Sequence, residues 1–291
     1  MHFFVFEPYS DFLHWNVLST AGVSWFDLVE DYLPKRGIPI CEMVGSSVDL
    51  VVGINLGMIC TGRPKSSVCR DYLLIMSKGV AFSNIKMPLP KVIQGRPGKP
   101  GESHNKVPST ILYSPASPFV KDWGFLCQHS DGEKEWSERY LDPERLQSIV
   151  SVGHGRTSSH DLPAFSEVRK WFKDYMAFLY KHISTTIQST TGRRGAKRID
   201  FVFGLPCTFN KLSIARDIRD LVTEAGFEGG GGKGRAQHKV HIGLTGPEAA
   251  AVYTLKDTVI AYQVGDIVLV CDAGGGITDL AILEINGYRD G

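Results

Sequence analysis

Three consecutive glycines between two aspartates are the stretch of this chain with the clearest capacity for chemistry. Asp272 precedes Gly274, Gly275 and Gly276, and Asp279 follows them. Successive glycine N–H groups in a tight turn form a concave surface that suits a phosphate group. Carboxylates beside a bound phosphate would repel it unless a hard cation lies between them, so the pattern predicts Mg²⁺ as well. The alternative interpretation is a glycine-rich hairpin with acidic ends and no ligand.

Two apolar runs must position this turn. Ile267 to Cys271 and Leu280 to Ile285 are short runs of β-forming residues, which is typical of strands that are buried on both faces. We therefore predict a β-hairpin over Ile267 to Ile285 with the three glycines at its tip.

A second glycine turn follows an apolar run in the first quarter of the chain. Val48 to Leu56 predicts a strand that contains Gly53 and Asn55 and leads into Gly57 and Met58. Many strands end in glycine, so this turn alone is weak evidence for a phosphate site. It becomes informative as a possible partner of the first turn. Two phosphate turns serve one triphosphate only if they converge, and we expect the glycine tip to face Asn55 to Met58 across a cleft.

The chain between the two turns alternates strands and helices. The predicted elements are a helix over Phe165 to Ile187, a strand over Arg198 to Leu205 that ends at Pro206, a helix from Lys211 to Ala225 that Gly226 stops, and a strand over Lys239 to Leu244. Thr245 and Glu248 form a capping box, with Pro247 in the first turn of one more helix. This order indicates an α/β domain with a mixed sheet.

Two further regions have weaker patterns. Residues 1–46 predict an N-terminal extension, with a short amphipathic helix over Trp25 to Leu33 as an alternative to irregular chain. Residues 88–118 are rich in Pro, Gly and Lys and predict a mobile surface segment. Val107 to Tyr113 and Trp123 to Leu126 predict short strands around it.

Composition excludes several classes of protein. The 291 residues carry a net charge of +1, which gives no indication of a nucleic-acid or membrane-surface partner. The six cysteines include no C-x-x-C pair, which favours reduced thiols and a cytoplasmic location. The longest uncharged N-terminal run, Phe12 to Phe26, is too short and too polar to span a membrane.

Four stretches, in this order, resemble the nucleotide-binding domain of the heat-shock protein 70 (DnaK-type) family. They are Val52 to Gly57 (VGINLG), Phe203 to Asn210 (FGLPCTFN), Leu244 to Ala251 (LTGPEAAA) and Cys271 to Asp279 (CDAGGGITD). Val107-Pro-Ser-Thr, Trp123-Gly-Phe and the tyrosine after the alanine helix are nearer to the divergent heat-shock-70-like branch. The resemblance covers roughly residues 48–291.

The resemblance implies an actin-like ATPase (ribonuclease H-like) fold with ATP and Mg²⁺ as cofactors. It divides the chain into the extension 1–46, a first lobe 47–257 with an insertion at about 88–160, and the opening hairpin of a second lobe, 258–291. The residues that it places at the phosphates are Gly53, Asn55, Gly57, Met58, Gly274, Gly275, Gly276, Ile277 and Thr278. It makes Asp272 and Asp279 catalytic residues that hold Mg²⁺ through water. It assigns Pro206, Gly246, Pro247 and Glu248 to the hinge between the lobes.

This chain departs from the family pattern at several of these positions. Asn55 replaces the aspartate of the first motif, and Met58 and Ile59 replace two threonines. Gly246 replaces a glutamate, and Ile277 replaces the threonine that follows the glycines. The replaced groups are those with which the family anchors the metal and orients the attacking water.

Three functions follow as hypotheses. The first is a nucleotide-binding, heat-shock-70-like protein with weak or absent ATP hydrolysis. The second is an active chaperone-type ATPase, with unfolded proteins and co-chaperones as partners. The third is a non-catalytic truncated remnant that acts as an interaction module, because the family's adenosine segment, the rest of its second lobe and its peptide-binding domain are expected after residue 291. A small-molecule kinase of the same superfamily is a fourth option.

Overall fold

The computed structural model of this protein describes residues 2–6, 50–56, 78–83, 91–104, 107–127, 132–134, 141–144, 146, 163–191, 198–206, 209, 212–229, 238–246, 263–273 and 278–285. Its strands are β1 His2–Phe6, β2 Leu50–Leu56, β3 Lys78–Ser83, β4 Lys91–Val92, β5 Ile111–Tyr113, β6 Val120–Trp123, β7 Glu133–Lys134, β8 Ile199–Leu205, β9 His238–Thr245, β10 Ile267–Ala273 and β11 Thr278–Glu284. Its long helices are α1 Phe165–Thr191 and α2 Leu212–Val222. The mixture of helices with parallel and antiparallel strands confirms the α/β class.

A five-stranded sheet forms the centre of the protein. Its strand order is β4-β3-β2-β8-β9. Strands β4, β3 and β2 pair antiparallel, whereas β2, β8 and β9 run parallel to one another. Neighbouring parallel strands need crossover connections. Along the chain, α1 lies between β2 and β8, and α2 lies between β8 and β9. The predicted mixed sheet is therefore present.

The main core lies between this sheet and helix α1. The buried side chains of α1 recur at three- and four-residue spacing, as a helix with one apolar face requires: Val168, Phe172, Tyr175, Met176, Leu179, Ile183 and Ile187. Strand β8 is buried along its whole length. The helix prediction over Phe165 to Ile187 is confirmed, and the helix continues to Thr191.

Phe227 closes the end of this core. Helix α2 passes into a wider turn, Thr223–Phe227, in which Gly226 has a φ of +104°. That left-handed conformation is easy for glycine and ends the helical chain at the predicted residue. The ring of Phe227 is 0% exposed, and its centroid lies 5.0 Å from that of Tyr180, 5.0 Å from Phe201 and 5.1 Å from Phe203.

A small sheet of β5, β6 and β7 packs beside α1. The Tyr113 hydroxyl donates to Asp174 at 2.8 Å, and the Lys170 ammonium lies 2.7 Å from the same carboxylate and 4.1 Å from the Tyr113 ring centroid. Burial, followed by the neighbouring Asp174 carboxylate, raises the pKa of Tyr113. These contacts fasten the small sheet to the helix.

The prediction of a strand over Trp123 to Leu126 is wrong after its first residue. Gly124 to Leu126 form a 3₁₀ turn, and Gly124 has a φ of +57°. A side chain at residue 124 would lie 2.7 Å from the Val107 side chain. The strand therefore ends where the chain must turn closely beside Val107.

The region 88–118 also differs from its prediction as a surface segment. Ile93 and Arg96 are buried, with exposures of 2% and 4%, and Lys91–Val92 extends the central sheet. The proline and glycine content correctly indicated turns in this region. It gave no information about the burial of the Ile93 and Arg96 side chains.

The N-terminal extension contributes a strand that sequence patterns missed. Strand β1 pairs parallel to β10, which in turn pairs antiparallel to β11. Trp25 to Leu33 lies outside the described residues. In the part of the chain that the structure describes, no helix is both long and apolar enough to cross a membrane.

Candidate functional site

Three predicted site segments begin at one edge of the central sheet. Strands β2, β8 and β9 are parallel, so their carboxyl ends meet at the same edge. Asn55 is the register partner of Gly204, and Leu205 is the partner of Thr245. Ligands of open sheets with parallel strands bind outside such carboxyl ends. Neighbouring strands lie about 4.8 Å apart, so the three strands, which end at Leu56, Leu205 and Thr245, end close together at this edge.

Asn55 lies on the face of the sheet that is opposite to the main core. Val52 and Ile54 of β2 belong to the core beneath α1, and side chains alternate along a strand. Asn55 is half-buried, and Gly53, on the same face, is buried. The register partners of Asn55 on both sides are glycines, Gly79 and Gly204. The absence of side chains there lets a backbone or a ligand approach the sheet closely.

The structure describes two of the four predicted hinge residues, Pro206 and Gly246. Pro206 is buried directly after β8, and its carbonyl accepts a hydrogen bond from the Phe209 amide at 2.9 Å. Proline has no N–H to donate, so it is well suited to end a strand. Gly246 follows β9 directly. Pro247 and Glu248 lie outside the described residues.

The predicted hairpin is present, with its tip outside the described residues. Strands β10 and β11 pair so that Asp272 is opposite Asp279 and Ala273 is opposite Thr278. Residues 274–277, which include the three glycines and Ile277, join the two strands. Gly57 and Met58 also lie outside the described residues, so the expected convergence of the two turns stays a prediction.

Strand β10 is buried on one face only, which corrects the prediction of burial on both. Val268 and Val270 have exposures of 2% and 0%, whereas Ile267 on the other face is 39% exposed. On β11, Leu280 and Ile282 are 63% and 69% exposed. An apolar run without alternation shows that both faces tolerate apolar side chains, but it does not show that both are covered.

A buried polar pair on the face of Asn55 was missed. The His241 Nε2 atom lies 3.2 Å from an Asp200 carboxylate oxygen, and Asp200 is 3% exposed. Asp200 precedes Gly204 by four residues, or about 13 Å along the strand, so the pair lies well behind the carboxyl edge. It links β8 to β9. The only signal in the sequence was an aspartate within an otherwise apolar run.

No three His, Cys, Asp or Glu side chains in the described part of the chain lie close enough together to hold a metal ion. The side chains of Asp272 and Asp279 are outside that description, so the Mg²⁺ prediction is not addressed by it. Neither a protein-family model nor a curated protein matches this chain.

Proposed function

We propose that this protein is a heat-shock-70-like nucleotide-binding protein. It binds Mg-ATP through the two phosphate turns that follow Leu56 and Ala273, and it hydrolyses ATP weakly or not at all. One observation carries the proposal: three parallel strands have their carboxyl ends at the same edge of the sheet. They are β2, which contains Asn55, β8, which ends just before Pro206, and β9, which ends just before Gly246. In the resemblance these are the first phosphate motif and two hinge motifs, which must lie together around one nucleotide.

The topology of the central sheet supports an actin-like fold. A ribonuclease H-like core combines an antiparallel three-stranded meander with parallel strands that are joined by helical crossovers. The order β4-β3-β2-β8-β9, with its antiparallel and parallel pairs, agrees with that plan. Fold alone does not establish activity, so the argument for nucleotide rests on the motifs at the carboxyl edge.

The register of the hairpin supports the magnesium assignment. Asp272 and Asp279 are direct cross-strand partners, at positions where Cα atoms lie about 5 Å apart. Like charges at opposite positions destabilise a sheet, and a shared hydrated cation would offset that repulsion. In this proposal the glycine N–H groups bind the phosphates and the two aspartates hold the Mg²⁺ through water.

We predict weak binding with little preference between ATP and GTP. The stretches of this chain that resemble the family are phosphate and hinge motifs, so contacts to the phosphates should supply most of the affinity. Calorimetry of the purified protein with Mg-ATP, Mg-GTP and Mg-ADP checks this prediction. Tight binding of ATP with strong rejection of GTP would contradict it, since that result requires a base pocket. Binding of none of them would contradict the proposed function itself.

A further inference from the structure

Asn55 is a polar residue whose described neighbours on its face of the central sheet have no side chains. It is half-buried on the face opposite to α1. Its register partners are Gly79 on β3 and Gly204 on β8, and Gly53 precedes it on the same face of β2. Neighbours across a sheet are the usual partners of a polar side chain. Because these three neighbours are glycines, none of them offers a side chain to the Asn55 amide.

The position of Asn55 gives this amide access to a ligand. Asn55 is the penultimate residue of β2, at the edge where β2, β8 and β9 have their carboxyl ends. Glycines beside it permit a ligand to approach the sheet closely. Two ionisable side chains described on this face, Asp200 and His241, lie behind the edge and are paired with each other. Within the described sheet, an anion at this edge therefore meets the neutral amide of Asn55.

A neutral amide suits a phosphate better than it suits hydrated Mg²⁺. Its NH₂ group offers two donors to phosphate oxygens, and hydrogen bonds to a charged partner are the stronger kind. Magnesium in proteins is held chiefly through carboxylates, whereas an amide carries no negative charge. A carboxylate at position 55 would repel a phosphate unless a metal lay between them. The type of residue at this position thus favours direct contact with the anion.

We propose that the Asn55 amide donates directly to a phosphate oxygen of the nucleotide, so that the protein also binds nucleotide when Mg²⁺ is absent. This inference rests on the proposed function and adds to it the form of the ligand, which includes the metal-free nucleotide. The neighbouring glycines leave room for the phosphate, and the amide binds it without a metal bridge. Mg²⁺ then contributes through the hairpin, separately from Asn55.

Calorimetry with ATP, in Mg²⁺ and in EDTA, tests this contact. The unmodified protein should bind ATP in both conditions. Asn55→Ala removes both amide donors and leaves the position neutral. Loss of a hydrogen bond to a charged group weakens binding about tenfold or more, and we expect that loss both with and without Mg²⁺. A side chain that acted through the metal would show the loss in Mg²⁺ alone.

Asn55→Asp changes the charge of the side chain and keeps its shape. Without Mg²⁺ the new carboxylate repels the phosphates, whereas bound Mg²⁺ offsets much of that repulsion. Removal of Mg²⁺ should therefore weaken ATP binding at least about tenfold more in Asn55→Asp than in the unmodified protein. Gln188→Glu is the matched control, because it makes the same chemical change at an exposed position of α1, on the other side of the sheet. Its dependence on Mg²⁺ should equal that of the unmodified protein.

The side-chain amide signals in an NMR spectrum report the contact without an affinity measurement. The Asn55 NH₂ signals are those that the spectrum of Asn55→Ala lacks, so the comparison assigns them. Addition of ATP in EDTA should shift these signals in the unmodified protein, because one N–H gains a charged acceptor. Signals that stay in place while ATP binds would overturn the contact.

The outcomes of calorimetry separate this proposal from the proposed function. Three results would overturn the Asn55 contact and leave a nucleotide-binding protein. They are binding of ATP in Mg²⁺ with none in EDTA, unchanged affinity of Asn55→Ala, and a loss in Asn55→Ala that occurs in Mg²⁺ alone. Absence of binding by the unmodified protein in both conditions would overturn the proposed function and the contact together.

Discussion

Phosphate release from Mg-ATP by this protein is expected to stay barely above the uncatalysed background. Under the proposed heat-shock-70-like assignment, five positions lack the groups with which that family anchors metal or positions water: Asn55, Met58, Ile59, Gly246 and Ile277. Phosphoryl transfer depends almost entirely on positioning and on charge neutralisation, so little else in a protein can compensate. Loss of one preorganised polar group near a transferring phosphoryl lowers the rate on the order of a hundredfold or more.

The same account predicts which changes restore turnover. Asn55→Asp alone should not raise phosphate release, because a better metal anchor does not orient the attacking water. Recovery should require Asn55→Asp together with Ile277→Thr and hydroxyl side chains at positions 58 and 59. The contrary result is steady-state phosphate release from the unmodified protein at ordinary chaperone rates, which Asp272→Ala abolishes. It would show that the departures from the family pattern do not impair catalysis.

The largest loss of stability is expected from Phe227→Ala. The Phe227 ring is fully buried among three aromatic rings, with two of them, Phe201 and Phe203, at steep edge-to-face angles of 89° and 76°. Truncation leaves a cavity that rigid aromatic neighbours refill poorly. We expect the free energy of unfolding to fall by about 3–5 kcal/mol.

Phe119→Ala is the matched control for that substitution. Phe119 is 76% exposed, and its hydrogen bonds are made by its backbone, to Ser114 and Ser117. The same chemical change should alter the free energy of unfolding by less than about 0.5 kcal/mol. Urea unfolding of both variants compares them, and equal losses would mean that Phe227 does not pack in the core as described.

The elements with strong local patterns could be predicted from the sequence. The spacing of apolar residues identified α1, since a buried helix face repeats every three or four residues. Pro206 identified the end of β8, and two apolar runs around glycines identified the hairpin. Each of these signals lies within one element or between near neighbours.

Features that depend on distant partners could not be predicted in this way. Strand β1 pairs with β10, from which it is separated by most of the sequence. The residues His2–Phe6 contain no local pattern that indicates this partner strand. The Asp200–His241 pair depends on the register of two parallel strands. The burial of Arg96 depends on a docked loop that its Pro and Gly content had suggested was mobile. For the site, the resemblance named the three segments, but their common edge follows from the parallel register of β2, β8 and β9, which local patterns do not specify. The predicted convergence with the hairpin tip depends on how the two sheets meet.

The most direct test of the central claim is the Mg-ATP affinity of two single variants, Gly57→Val and Gly275→Val. If both turns bind one triphosphate, each side chain should block the close approach of backbone N–H groups and weaken binding at least about tenfold, the effect of losing one or two hydrogen bonds. Gly95→Val is the matched control, because a side chain at Gly95 meets open space. Its affinity should equal that of the unmodified protein. Affinity that is unchanged in either Gly57→Val or Gly275→Val would contradict a shared nucleotide site.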